Sequence, residues 1–411
     1  MKKLLIIGYV WPEPTSTAAG TRMMQLIDFF LKENYEVHFS TTATRTTFVP
    51  QLENLGLITK NIQLNSSGFD SYIEDLQPDI VLFDRFMTEE QFSWRVDKFC
   101  PGALKILDTE DLHFIRKGRH QAYKEKRNPK EIYLTSDLTK REIASIYRSD
   151  LSLIISEVEN QLLISEFNIP ESLLLYLPFM LKKITSEEGD SLPGFNERKD
   201  FISIGNFLHE PNRNAVFTLK EKIWPLIRKQ LPEANLHIYG AYPSEKIFKL
   251  NDKKNGFLVH GRADNAVTEM KKARICLAPL QFGAGLKGKL IQAMQSGTPA
   301  ITTQVGAEGI PGDFPWNGFI ENDLEKFSDA AVKLYRDESK WNATQACGFD
   351  IINSRFSVEI FRKKFQQKLQ LMDDLVKHRE KNFIGAMLKH HLHRSTYFMS
   401  RFIEEKNKTA G

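Results

Sequence analysis

Short apolar, β-branched runs alternate with helical patterns along almost the whole chain. In the first half KKLLIIG, EVHFSTT, ITKNIQL, DIVLFD, LKILDTED, LSLIIS and LLLYLPF read as strands. Between most of them apolar positions recur at helical spacing, at Thr21 to Lys32, Glu89 to Phe99, Leu138 to Tyr147 and Glu157 to Phe167. Strands alternating with crossover helices predict a parallel sheet. The stretch KKITSEEGDSLPGFNERKD then breaks the pattern with glycine, proline and mixed charge, which predicts an interdomain linker. After it the alternation restarts with FISIGNF, NLHIYGA, GFLVHG, RICLAPL and PAITT as strands. Helices are expected near Asn212 to Gln230, Asn265 to Lys272 and Leu286 to Gln295, and the chain beyond Phe319 reads as largely helical to about Lys406.

The restart predicts two similar α/β domains, and 411 residues are enough for two cores. Apolar and charged fractions of 41% and 26% are those of a soluble globular protein. No apolar run reaches the roughly 18 residues of a spanning helix. MKKLLIIGYVWPEP begins like a signal peptide, but its apolar run is short and no small-residue cleavage site follows, so a buried first strand is expected. Cys100, Cys276 and Cys347 lie far apart without metal-ligand spacing, which suits a reducing cytoplasm and predicts no metal site. A net charge of +4 is too slight to argue for nucleic acid.

Ligands of open parallel sheets bind outside the carboxyl ends of the strands, so two facing sheets make a cleft. The segment FGAGLKGKLIQAMQSGTPAITTQVGAEGI, Phe282 to Ile310, would lie along it. Gly283, Gly285 and Gly288 allow close approach of backbone, a helix N-terminus favours negative charge, and Lys287 and Lys289 add cations, together a phosphate site. The plain alternative is a surface loop before a core helix. In the first domain GYVWPEPTSTAAGTR lacks the G-x-G-x-x-G dinucleotide spacing. Gly20 nonetheless stands where a helix start, expected at about Thr21, would offer N–H groups to a phosphate or sugar, and Arg22 faces either the cleft or solvent. LKILDTEDLHF gathers Asp108, Glu110, Asp111 and His113 at a strand's carboxyl end, which suggests acid/base or sugar-hydroxyl work. The alternative there is helix capping by Asp111 beside a partly exposed His113.

These loops, read with GNFLHEPNRNAV (205–216), resemble the GT-B glycosyltransferases of the retaining family four, glycosyl transferases group 1, especially bacterial members with a G-x-G-x-K-x-K loop. The resemblance runs from Lys2 to about Phe365. It implies an α/β fold of two Rossmann-like domains facing a cleft, with extra C-terminal helices. The implied spans are an acceptor-side domain over 1–182, a linker over 183–200, a donor domain over 201–356, a helix crossing back over 357–379 and a basic amphipathic tail over 380–411. A nucleotide diphosphate sugar, a co-substrate rather than a cofactor, would be held mainly by the second domain and transferred with retention, without a metal. The acceptor, a glycan, a lipid-linked sugar or a small molecule, would sit mainly on the first.

The implied donor site comprises Gly20, Arg22, Asn206, Arg213, Gly283, Gly285, Leu286, Lys287, Gln292 and Glu308, and the implied catalytic group Glu110, Asp111 and His113. The match is uneven. Where relatives often carry two glutamates eight positions apart, this chain has Ala284 and Gln292, so a ribose contact is kept without charge and a sugar contact is lost. Asn206 takes the place of an arginine and Arg213 lies close to that of a lysine, so Lys287 is the expected compensating cation for the departing diphosphate. Glu308 would meet a donor hydroxyl or solvent. Glu110 and Asp111 fall where relatives carry a histidine and an aspartate. Competing readings are a nucleotide-sugar 2-epimerase and an inactive nucleotide-sugar-binding relative.

Two further segments carry alternatives. From His113 to Asp137 the chain holds seven Lys and Arg against two Glu, either a mobile clamp for an anionic acceptor or, the favoured reading, a solvated flexible loop. In the tail Ile384, Met387, Leu388, Leu392, Phe398, Met399 and Phe402 fall close to one helical face. That face would pack on the body or a partner subunit, the favoured reading, or lie on the inner face of a membrane.

Overall fold

The apolar runs form strands in two separate parallel sheets. The computed structural model describes residues 1–372 and 374–409, without side chains at 392, 393, 408 and 409, so Leu392 of the tail's apolar face lies outside the described side chains. The first sheet comprises β1 (Lys3–Gly8), β2 (Glu36–Thr41), β3 (Ile58–Asn61), β4 (Ile80–Asp84), β5 (Leu104–Asp108), β6 (Leu151–Ile154) and β7 (Leu174–Tyr176), in the order β3-β2-β1-β4-β5-β6-β7. The second comprises β8 (Lys199–Ile204), β9 (Leu236–Tyr239), β10 (Phe257–Gly261), β11 (Ala273–Ala278), β12 (Ala300–Thr302) and β13 (Gly318–Ile320), in the order β10-β9-β8-β11-β12-β13. This is the α/β architecture expected from the alternation. Every residue of β4 and β5 is buried, as continuous apolar runs in a parallel sheet require.

In each sheet the strand order reverses direction beside the first strand of the domain, between β1 and β4 and between β8 and β11. Such switch points open a crevice at the carboxyl ends of the strands. The two domains are joined by neighbouring crossings: Leu181 N–H donates to Phe356 O at 2.7 Å, and Val358 N–H donates to Leu181 O at 2.9 Å. Helix Val358–Gln370 then returns to the first domain. There Phe365 stacks on Phe29 at 4.4 Å, and the Arg362 guanidinium pairs with Glu33 at 2.9 Å.

Two segments differ from their sequence reading. The 183–200 stretch is not a free spacer: Phe195 sits in the second domain's core against Trp341, and buried Arg198 donates to Ser296 O at 2.8 Å. Burial lowers the Arg198 pKa to about 10. The basic segment after His113 is not a flexible loop but the helices His113–Glu125 and Pro129–Tyr133, held by Phe114 against Tyr133 at 5.8 Å. The tail forms helix Phe383–Thr409, packed on the first domain. None of the described helices is long and apolar enough to cross a membrane.

Candidate functional site

The first-domain floor of the cleft is set by the register of β4 and β5, which places Asp84 opposite Asp108. Two buried carboxylates side by side need compensation. Arg22 supplies it to Asp108: its Nε and Nη2 donate to Asp108 at 2.9 and 2.8 Å, and Nη1 donates to Leu177 O at 2.6 Å. Arg22 is 1% exposed and does not line the cleft. This corrects the expectation that it meets the donor: it clamps β5 and the end of β7 to the first helix. Asp84 accepts the Tyr9 N–H at 3.0 Å and faces Arg85 at 3.6 Å. Burial raises its pKa, opposed by Arg85 and reinforced by Asp108.

Immediately past β5, Glu110 adopts φ +61°, a left-handed conformation costly for a side chain of this size. It lines the cleft, and burial, with Asp108 and Asp84 nearby, pushes its pKa well above the usual carboxylate range. Its carboxyl therefore holds a proton more tightly than an ordinary glutamate's. Asp111, also lining the cleft, is ionised: burial opposes its charge, but the Arg116 Nη1 donates to both its oxygens at 2.7 and 2.6 Å and lowers its pKa. His113 is different. It is buried behind the floor, edge-on to Phe86 at 5.6 Å, with its backbone N–H donating to Glu142 at 3.1 Å. The structure does not bring it into the cleft, because the polypeptide turns into the helix His113–Glu125 at that residue.

The opposite wall is the Phe282–Lys289 loop after β11. Gly285 has φ +61°, and a Cβ there would come within 2.8 Å of the Asp111 Cβ, so only glycine lets this loop seat on the first domain. Helix Gly288–Gln295 starts without a side-chain cap, with Lys287 at its N-cap, which leaves its first N–H groups for a ligand. Lys287 Nζ donates to Gly285 O at 2.7 Å, and burial lowers its pKa to about 8 against the pull of Glu308 and Glu159. Lys289 Nζ donates to Asn212 Oδ1 at 2.7 Å, and burial lowers its pKa to about 8 as well. Lys289 stands beside the Gly205–Asn206 turn, 2.7 Å from where a Gly205 Cβ would be. It belongs with Lys287 among the phosphate-site cations expected from the sequence, though not among the donor residues the resemblance implies. It lines the cleft where Arg213 was expected; Arg213 instead pairs with Glu210 on the surface and does not line the cleft.

The remaining candidates divide similarly. Asn206, Leu286 and Gln292 line the cleft, Asn206 with its Oδ1 accepting the Leu208 N–H at 2.8 Å. Gly20 lines it too, but the first helix starts at Ala18, and the Gly20 N–H is taken by its capping residue Thr17 at 2.8 Å. Its glycine is required because a Cβ would lie 2.4 Å from the Glu13 backbone. Glu308 does not line the cleft; it accepts from Arg119 of the first domain at 2.6 and 2.8 Å. Ala284, in place of a carboxylate, packs against the first domain's core.

Residues that sequence reasoning missed join the two walls. Arg119 Nη1 also donates to Gly283 O at 2.9 Å, and His120 stacks on Phe282 at 4.4 Å. Across the cleft Tyr242 donates to Glu13 at 2.8 Å, and Arg262 donates to Thr15 at 2.8 Å. Between these closures lies a cavity of about 1130 Å³. That is ample for a nucleotide sugar together with part of an acceptor. Among the described residues no group of three or more His, Cys, Asp or Glu is arranged to hold a metal.

Residues 198–337 match the family described as glycosyl transferases group 1. No curated protein sequence matches the chain. Among solved structures it is similar to sucrose-phosphate synthase from Thermosynechococcus elongatus, at 14% identity and TM-score 0.67 over 90% of this chain and 99% of that one. It is also similar to a mutant of TarM of S. aureus, solved with UDP, at 11% identity and TM-score 0.67 over 90% of this chain and 99% of that one. Anabaena HepE in complex with UDP and glucose gives 11% identity and TM-score 0.67, over 90% of this chain and 100% of that one. With the two facing sheets and the glycine-lysine loop between them, the chain has the two-domain GT-B fold, and its residues 198–337 are similar to the glycosyl transferases group 1 family.

Proposed function

We propose that the chain moves a sugar from a nucleoside diphosphate sugar, with uridine or guanosine as the nucleoside, to a glycan, lipid-linked or small-molecule acceptor. The observation that carries this reading is the pairing of buried Lys287 and half-buried Lys289 in one cleft wall beside an uncapped helix N-terminus. A departing diphosphate needs such positive charge, and two lysines supply it without a metal. On the facing wall Glu110 and Asp111 offer sugar hydroxyls two carboxyls whose pKa values are shifted in opposite directions, up for Glu110 and down for Asp111.

Retention follows if the acceptor attacks from the face that the phosphate leaves. The acceptor oxygen then bonds to the anomeric carbon as the bond from that carbon to the phosphate oxygen breaks, and the hydroxyl proton passes to the leaving phosphate. No protein base is needed. The roles proposed for Glu110 and Asp111 are to orient the sugar, with His113 supporting the floor from behind. Three free cysteines, two of them buried, support a cytoplasmic setting.

The absence of carboxylates at Ala284 and Gln292 favours, as second reading, a relative that binds donor without turning it over. Incubation with UDP- and GDP-sugars, with and without added glycan acceptors, separates the readings by release of nucleoside diphosphate and by the anomeric configuration of the product. Release that depends on acceptor supports transfer. Donor conversion without acceptor indicates a 2-epimerase, and binding without release indicates the inactive relative.

A further inference from the structure

Helix Phe383–Thr409 is fixed to the outside of the first domain by its inner face. Asn382 at its start donates to Tyr147 O at 2.7 Å, Arg95 donates to Ser400 at 3.0 Å, and Glu404 accepts the Ser67 N–H at 2.6 Å. Tyr397 stands edge-on to Trp94 at 5.3 Å. The outer face has no such cover: Phe383 is 76% exposed and Phe398 and Phe402 each 67%, with Ile384, Met387 and Met399 also exposed. Spacings of four residues put Phe383 with Met387, and Phe398 with Phe402, on one stripe. A stripe of this length on a body otherwise well packed marks a contact surface.

Charge identifies what the surface meets. Residues 375–407 hold seven Lys and Arg against three Glu, and of the seven Arg379 is tied inward to Asp150 and Arg401 to Glu404. Arg394 and Lys381 are exposed along the same helical stretch. Two copies pairing antiparallel about the middle of this helix would set Arg394 against its own counterpart, which disfavours self-association. An apolar stripe flanked by cations instead matches a bilayer bearing anionic headgroups.

We infer that the outer face of this helix rests on an anionic lipid surface, its aromatic and methionine side chains entering the headgroup region. The helix starts beside Tyr147, at the end of Asp137–Arg148, and finishes at Ser67, the first residue of helix Ser67–Leu76. It therefore runs from the amino-end level of the first sheet up to the carboxyl-end level, where the cleft opens. A bilayer against it would lie beside the cleft, whatever the donor is. The ion pairs and hydrogen bonds of the inner face display the stripe already ordered, so binding loses little conformational freedom.

The test is co-sedimentation of the full chain with phosphatidylcholine vesicles, with and without phosphatidylglycerol. Wild type should bind the phosphatidylglycerol vesicles and lose binding in high salt. The double substitution Phe398→Ser, Phe402→Ser should weaken partition by about tenfold per ring. Arg394→Glu should weaken it on anionic vesicles alone, and Met387→Ser repeats the test at the other end of the stripe. Equal partition of wild type and the serine variants, or no binding of wild type to anionic vesicles, overturns the inference. So does a lipid-independent dimer that the double substitution dissociates.

Discussion

Glu159 of the first domain accepts the backbone N–H of Gly285 in the second at 2.6 Å, directly under the loop that faces the cleft. Burial, reinforced by Asp111 and opposed by the Gly285 N–H, raises the Glu159 pKa to about 8. A group whose folded pKa lies above its unfolded value binds more protons when folded. Its contribution is fully present below about pH 4.5 and is lost as pH rises through about 8. Wild type should therefore lose thermal stability between these limits, while Glu159→Gln, which keeps the shape and cannot ionise, should show a flatter profile. Identical profiles by thermal denaturation across this range would contradict the assignment.

The same loop is tied from its other side by Arg119, through Gly283 O and Glu308. Because the ion pair is partly exposed, its worth is modest, about 1 kcal/mol. Arg119→Ala should weaken nucleoside diphosphate binding roughly three- to tenfold by calorimetry, with the fold's thermal midpoint little changed. A large loss of stability with unaltered nucleotide affinity would make Arg119 merely structural.

Arg22 and Asp108 behave oppositely. Their pair is fully buried, and removing one partner strands the other's charge. Arg22→Ala should cost about 3–5 kcal/mol in urea unfolding. A cost near zero would show that the pair is not what holds β5 to the first helix.

Glu110 holds a backbone conformation that glycine adopts freely. Glu110→Gly should raise stability by about 1 kcal/mol, by releasing strain. It should also lower turnover by roughly a hundredfold or more, by removing the carboxyl from the cleft. Unchanged turnover would remove Glu110 from the site.

The alternation of strands and helices was readable because burial on both faces demands continuous apolar runs, and the two-domain α/β fold follows from their restart after position 198. The glycine loop was readable for a similarly local reason: glycines, lysines and a helix start are adjacent in the chain. What sequence could not convey is partnership at a distance. Arg22 belongs to Asp108, 86 residues away, and Glu308 to Arg119, 189 residues away. Either arginine read alone is a cation without a destination. Lys289 is legible beside Lys287 as a phosphate-site cation, whereas its nearness to Gly205 needs the second sheet's order. The basic segment after His113 reads as a loop by charge, yet Phe114, Ile115 and Tyr133 bury enough apolar surface to order it.

The central claim is that Lys287, Lys289 and the helix behind them hold a nucleoside diphosphate. Calorimetric titration of UDP and GDP into wild type, Lys287→Ala and Lys289→Ala, at pH 7 and pH 9, tests it most directly. Both lysines have pKa values lowered to about 8, so both are largely charged at the lower pH and largely neutral at the higher. The account predicts that wild type binds one of the two nucleotides at pH 7, that each substitution weakens it by about tenfold or more, and that affinity falls as pH rises through about 8. No binding of either nucleotide, or binding indifferent to both lysines, would contradict it.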